Sequence, residues 1–145
     1  MRVVVLGGES TGGRLVARLL GADAGLAVEH YSMPHGGGAA RHWPTDCELA
    51  DAAPAAVLVT IRAWVPMVAS KAAHHVPNMA HAEREAAEAY ERIFAWLHSS
   101  GHRWRWLVYE ALVARPEATM AGVWRWLGRP VLPPTELIED GDAKW

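Results

Sequence analysis

The chain has 145 residues, 51% of them hydrophobic, and a formal net charge of −2 at pH 7. This length predicts a single domain over residues 1–145 with a hydrophobic core of its own. The mixed charges give no overall signature of nucleic-acid binding, so we expect no nucleic-acid partner. The single cysteine, Cys47, excludes an internal disulfide framework and a cysteine-rich zinc site.

Two further classes of protein are excluded by local patterns. Arg62 interrupts the longest apolar run, Ala52–Ala69, so we expect no membrane span. The first residues also lack the order of charged, apolar and small residues that marks a signal peptide, and we therefore expect a cytoplasmic protein. The eight histidines include no His-Glu-x-x-His pattern, so we expect no metal.

The first predicted element is a buried strand that ends in a glycine-rich turn. The apolar run Val3–Leu6 is followed at once by two glycines, which is typical of a buried parallel strand. A helix follows, with Ser10 or Thr11 as its N-cap and Gly21 at its end. Backbone N–H groups at the positive end of that helix form a cradle for an anion, most often phosphate or sulfate. An ordinary glycine-rich turn is the alternative.

The remaining elements alternate between strands and helices. In chain order they are a strand at Leu26–Ser32, an irregular glycine-rich and polar stretch ending at Asp51, a buried strand at Ala55–Ile61, a helix with Pro66 in its first turn, an amphipathic helix at His81–His98, a strand at Trp104–Tyr109 and a helix from Pro116 to Leu127. This alternation predicts an α/β fold, a three-layer α/β/α sandwich with a mainly parallel sheet. Ligands of such sheets bind beyond the carboxyl ends of the strands.

A second anion-binding segment follows the strand at Ala55–Ile61. Arg62 comes directly after that strand, where sheets of this kind bind ligands. A guanidinium grips phosphate through charge-assisted, bidentate hydrogen bonds, and the hydroxyl of Ser70 on the next helix can complete the grip. A surface arginine in a salt bridge is the alternative. Together with the first loop, this segment predicts two halves of one nucleotide site.

The order of these motifs resembles the sulfotransferase family. The resemblance covers most of the chain and is carried by Gly7–Leu15, by Val57–Arg62 with Ser70, by Leu107–Leu112, and by Arg115–Thr119 before Leu127 and Gly128. It implies a fold of the P-loop nucleotide-binding type and 3′-phosphoadenosine 5′-phosphosulfate (PAPS) as donor. The implied reaction moves the sulfuryl group to a hydroxyl or amine of a small-molecule or glycan acceptor, with no metal.

The resemblance also assigns the donor contacts. The 5′-phosphosulfate is held by the first loop, chiefly by Ser10, Thr11, Gly12, Gly13 and Arg14. The 3′ phosphate is held by Arg62 and Ser70. Many relatives carry a lysine or arginine where Glu9 stands, so we expect Glu9 to point away from the anion or to cap the helix, with Arg14 supplying the charge. The tail at Glu139–Trp145 is a reduced version of the segment that closes over the nucleotide, with Lys144 as its contact.

Sulfuryl transfer requires a base for the acceptor, positive charge at the bridging oxygen and in-line alignment. Family members commonly use a histidine or glutamate between the two phosphate segments as the base. We assign this role to His35, with His30 and His42 as alternatives, because imidazole titrates near neutral pH.

Two other functions stay open at this point. One is a P-loop nucleotide or nucleoside kinase, against which the absence of the loop lysine argues. The other is a nucleotide-binding relative without catalytic activity.

Overall fold

The computed structural model describes residues 1–32, 53–74 and 76–134. These ranges hold four strands and five helices. In chain order they are β1 (Arg2–Gly7), α1 (Gly13–Leu20), β2 (Ala27–Ser32), β3 (Ala56–Ile61), α2 (Trp64–His74), α3 (Met79–Ser100), β4 (Trp104–Val108), α4 (Tyr109–Ala114) and α5 (Pro116–Leu127). The predicted α/β class is therefore confirmed. No helix in the described ranges is long and apolar enough to cross a membrane.

The four strands form one sheet in the order β2-β1-β3-β4, and every pairing in it is parallel. The chain places β2 on one side of β1 and then crosses to the other side of β1 to form β3. The strand order therefore reverses at β1 and β3. Beyond the carboxyl ends of two such strands the connections diverge and leave a crevice, which is where open parallel sheets bind ligands.

Successive side chains along β1 belong alternately to two hydrophobic clusters. Val3 and Val5 belong to a cluster that contains side chains of α1, α4 and α5. Val4 and Leu6 belong to a second cluster, in which Ile93 and Leu97 of α3 are buried. Helices thus cover β1 on both faces, which explains why all of Val3–Leu6 is apolar rather than alternating.

Capping residues, proline and glycine set the ends of the helices. α5 begins with Pro116 and ends before Gly128, whose φ of 70° is left-handed, as the sequence predicts. α3 begins earlier than predicted, because the Asn78 side chain accepts a hydrogen bond from the backbone N–H of His81 and caps the helix. The predicted strand at Trp104–Tyr109 ends one residue early, since Tyr109 begins the short helix α4.

Two tryptophans test this description of the core. Trp124 in α5 is 1% exposed, whereas Trp106 in β4 is 50% exposed. We expect Trp124→Ala to lower the free energy of unfolding by about 3–5 kcal/mol, because it removes a large side chain from a packed core. The loss for Trp106→Ala should be less than half as large. Urea denaturation of both variants measures the difference, and equal losses would show that the core is not where the structure has it.

Candidate functional site

The loop between β1 and α1 is closed by its own threonine. Thr11 is buried, and its Oγ1 donates to the carbonyl of Gly8 at 2.6 Å and lies 2.8 Å from Oγ1 of Thr60. The prediction that Ser10 or Thr11 caps α1 is therefore wrong. The N-cap is Gly12, and no side chain caps the helix there, because the Thr11 hydroxyl is used within the loop and across to β3.

The backbone of this loop turns through two left-handed residues. Ser10 has a φ of 64° and Gly12 a φ of 81°. A Cβ atom added at Gly12 would lie 2.7 Å from the ring of Tyr109, so glycine is required there both for its φ and for space. At Gly13 an added Cβ would lie 2.5 Å from Nε2 of His30. The imidazole of His30 is therefore packed against the first residue of α1.

Arg62 joins the two predicted halves of the site. Its Nη1 donates to the carbonyl of Ser10 at 2.9 Å, and its guanidinium lies over the ring of Tyr109, 4.7 Å from Cζ to the ring centroid. The residue predicted to hold a 3′ phosphate thus contacts the loop predicted to hold a 5′ phosphosulfate. The sequence predicts that the two segments are neighbours, but it does not predict this hydrogen bond to the Ser10 carbonyl.

The end of β3, which carries Arg62, is held by two other elements. The hydroxyl of Tyr90 on α3 donates to the carbonyl of Thr60 at 3.1 Å. Burial, with a smaller contribution from the charge of Glu110, raises the pKa of Tyr90, so this hydroxyl stays a donor. Glu110 on α4 in turn accepts a hydrogen bond from the backbone N–H of Ala63 at 2.8 Å.

Glu9 is turned into the protein interior and is neutralised there. It is 7% exposed, and its carboxylate forms an ion pair with Nζ of Lys71 on α2. Lys71 is itself 1% exposed and also pairs with Glu85 on α3 at 2.8 Å. The acidic residue in the loop therefore has a buried countercharge. Sequence reasoning missed Lys71, although its place four residues after Met67 puts it on the buried face of α2.

Glu85 lies between Lys71 and His81. Burial alone would raise its pKa, but hydrogen bonds from Lys71 and His81, together with their charges, outweigh that effect and lower the pKa from the ordinary value of 4.5. The contact with His81 joins Nε2 to Oε1 at 2.9 Å. Glu85 is therefore a stable anion at neutral pH.

The other predicted site residues fall into two groups. Arg14 follows Gly13 in the first turn of α1 with an exposed side chain, and Ser70 lies half-buried on α2, directly before Lys71. His35, His42 and Lys144 lie outside the described residues.

Comparison of the chain with protein-family models, with curated proteins and with solved structures finds no match in any of the three. The case for a function rests on the residues of this chain.

The close approach of Tyr109 to the loop gives a prediction about Gly12. Gly12→Ala and Gly101→Ala both place a side chain at positive φ, at 81° and 65°, but an added Cβ at Gly101 has no neighbour within 4 Å. We expect Gly101→Ala to cost about 1–2 kcal/mol of unfolding free energy, the cost of the left-handed backbone. Gly12→Ala should cost distinctly more, because the ring of Tyr109 must also move. Equal losses in urea denaturation would contradict the packing of Tyr109 on the loop.

The lowered pKa of Glu85 gives a prediction about acid stability. The folded-state pKa lies below the unfolded-state value, so the unfolded chain binds more protons as the pH falls. The contribution of Glu85 to stability is thus present above pH 4.5, the ordinary pKa quoted above, and is lost as the pH falls through the lower folded-state pKa.

This contribution is measured by the free energy of unfolding of wild type and Glu85→Gln from pH 7 to pH 3. The wild type should lose stability more steeply in acid than the variant. Parallel curves would mean that Glu85 is not ion-paired in the folded protein.

Proposed function

We propose that this protein is a sulfotransferase that moves the sulfuryl group of PAPS to a hydroxyl or amine of a small-molecule or glycan acceptor. The observation that carries the proposal is the hydrogen bond from Arg62 to the carbonyl of Ser10 at 2.9 Å. It makes the glycine-rich loop and the arginine after β3 neighbours. A nucleotide with phosphate groups at both its 5′ and 3′ positions requires two neighbouring anion-binding segments. In this proposal they are the glycine-rich loop and Arg62.

The position of the loop in the sheet supports the proposal. The loop follows β1 and Arg62 follows β3, and the strand order reverses at these two strands. The hydrophobic clusters on both faces of β1 support the three-layer sandwich of the P-loop type that the proposal includes. In this arrangement the backbone N–H groups from Ser10 to Arg14 lie at the positive end of α1 and face the 5′-phosphosulfate.

Lys71 bears on the choice between a sulfotransferase and a kinase. A loop that binds a nucleoside triphosphate uses a lysine on the β and γ phosphates. Lys71 does not fill that role in this structure, because its ammonium is buried between Glu9 and Glu85. The loop contributes its backbone N–H groups and the half-buried Ser10, with Arg14 and Arg62 as cations of the proposed site.

The chemistry requires one proton transfer and one substitution at sulfur. A base takes the proton of the acceptor hydroxyl, the acceptor oxygen forms a bond to sulfur, and the bond from sulfur to the bridging phosphate oxygen breaks. The negative charge that develops on the 5′ phosphate of the departing 3′,5′-adenosine bisphosphate is stabilised by the N-terminal end of α1 and by Arg14. We assign the base to His35, with His30 and His42 as alternatives. Ser70 contributes to the 3′ phosphate, and Lys144 contacts the donor from the tail.

The proposed role of Arg62 is tested by two nucleotides that differ in the 3′ phosphate. We expect Arg62→Ala to weaken binding of 3′,5′-adenosine bisphosphate by about 2 kcal/mol, roughly 30-fold, because a charge-assisted pair to phosphate is lost. Binding of 5′-AMP should weaken much less. Isothermal titration calorimetry measures both affinities, and Arg125→Ala, an exposed arginine on α5, serves as the control.

Equal losses for the two nucleotides would remove Arg62 from the 3′-phosphate site. Stabilisation of the wild type by ATP with magnesium, and not by 3′,5′-adenosine bisphosphate, would instead support the kinase.

The proposed base is tested by turnover. His35→Asn should lower turnover by about a hundredfold while leaving the affinity for 3′,5′-adenosine bisphosphate nearly unchanged, because the base acts on the acceptor. His42→Asn should be mild. Full turnover of His35→Asn on a verified acceptor, with loss of turnover in His30→Asn, would move the role to the imidazole beside Gly13.

A further inference from the structure

The ion cluster of buried Glu9, buried Lys71 and half-buried Glu85 takes no part in the proposed sulfuryl transfer. It joins three elements, since Glu9 belongs to the loop after β1, Lys71 to α2 and Glu85 to α3. We propose that Lys71 is a positioning residue that fixes the loop against α2, and so sets the distance between the two phosphate contacts of the nucleotide site. The proposal rests on the donor binding proposed above.

The cluster is adjacent in sequence to both halves of the site. Glu9 directly precedes Ser10, whose carbonyl accepts the hydrogen bond of Arg62. Lys71 directly follows Ser70, the residue predicted at the 3′ phosphate. The loop is therefore tied twice to the segment after β3, once by Arg62 and once by Lys71.

The surroundings of Lys71 exclude a direct contact with a nucleotide in this conformation. Its side chain is 1% exposed, and its ammonium lies between two carboxylates. It lies on the same face of α2 as Met67 and Val68, which pack against Ala82 and Ala86 of α3. A buried lysine with two anionic partners ties their two elements together, because removing Lys71 would leave both carboxylates without their shared countercharge.

Glu9→Gln distinguishes a positioning role from a simple electrostatic effect, because the two predict opposite changes in nucleotide affinity. Removing a negative charge one residue from the loop's anion contacts would strengthen binding of an anionic nucleotide if charge alone mattered. If the ion pair positions the loop, the same change weakens binding. Glu91→Gln, which removes an exposed charge from α3, is the matched control.

The test measures the affinity for 3′,5′-adenosine bisphosphate by titration calorimetry. We expect Glu9→Gln to weaken binding about fivefold or more, the lower range of energetic coupling between sites, and Glu91→Gln to change it little. The charge-balanced variant Glu9→Gln with Lys71→Met should also bind weakly, and it covers the case in which Lys71→Met alone does not fold. Binding by Glu9→Gln that equals or exceeds that of the wild type would overturn the proposal.

A second measurement needs no ligand. Amide hydrogen exchange across residues 8–13 should be faster in Glu9→Gln than in the wild type and in Glu91→Gln. Unchanged exchange would overturn the positioning role. A wild type that binds no 3′,5′-adenosine bisphosphate, with faster loop exchange in Glu9→Gln, would refute the proposed function and leave the structural tie intact.

Discussion

The parallel pairing of β1 with β3 is the constraint on which the candidate site depends. Its register sets Gly7 opposite Thr60, so closely that a Cβ at Gly7 would lie 2.1 Å from the Thr60 hydroxyl oxygen. Because the strands are parallel, the segments that follow β1 and β3 leave the sheet at the same edge. The Thr60 hydroxyl therefore meets Thr11 in the loop, and Arg62 reaches the carbonyl of Ser10. Loss of this pairing would separate every contact from which the nucleotide site is inferred.

The charged residues around the loop after β1 differ in burial, from buried Glu9 and Lys71 to half-buried Arg62 and exposed Arg14. An acidic residue in an anion-binding loop is unfavourable unless its charge is compensated, and Glu9 is compensated by Lys71 inside the protein. In the proposed site, the positive groups are then the backbone N–H groups of the loop, Arg14 and Arg62. Burial of the charged groups of Glu9 and Lys71 is costly, so the folded loop requires that they pair with each other.

Much of the fold was predictable because its signals are local. The apolar run Val3–Leu6 and the proline and glycine that bound α5 specify strand and helix through backbone and burial alone. The site was predictable only in part. Whether Thr11 caps α1 depends on a competing carbonyl and on Thr60, which comes from another strand. The pairing of Glu9 with Lys71 depends on the packing of α2 against the loop, and no periodicity in the sequence encodes that distance.

We propose that the loop after β1 and the arginine after β3 form one site for one nucleotide. This arrangement is tested most directly by following backbone amide and arginine side-chain N–H resonances while 3′,5′-adenosine bisphosphate is added to the isotopically labelled protein. If both segments bind one nucleotide, the amides of Gly12 and Gly13 and the guanidinium of Arg62 shift together, with one common dissociation constant. Shifts confined to another part of the protein, or separate constants for the loop and for Arg62, would contradict it.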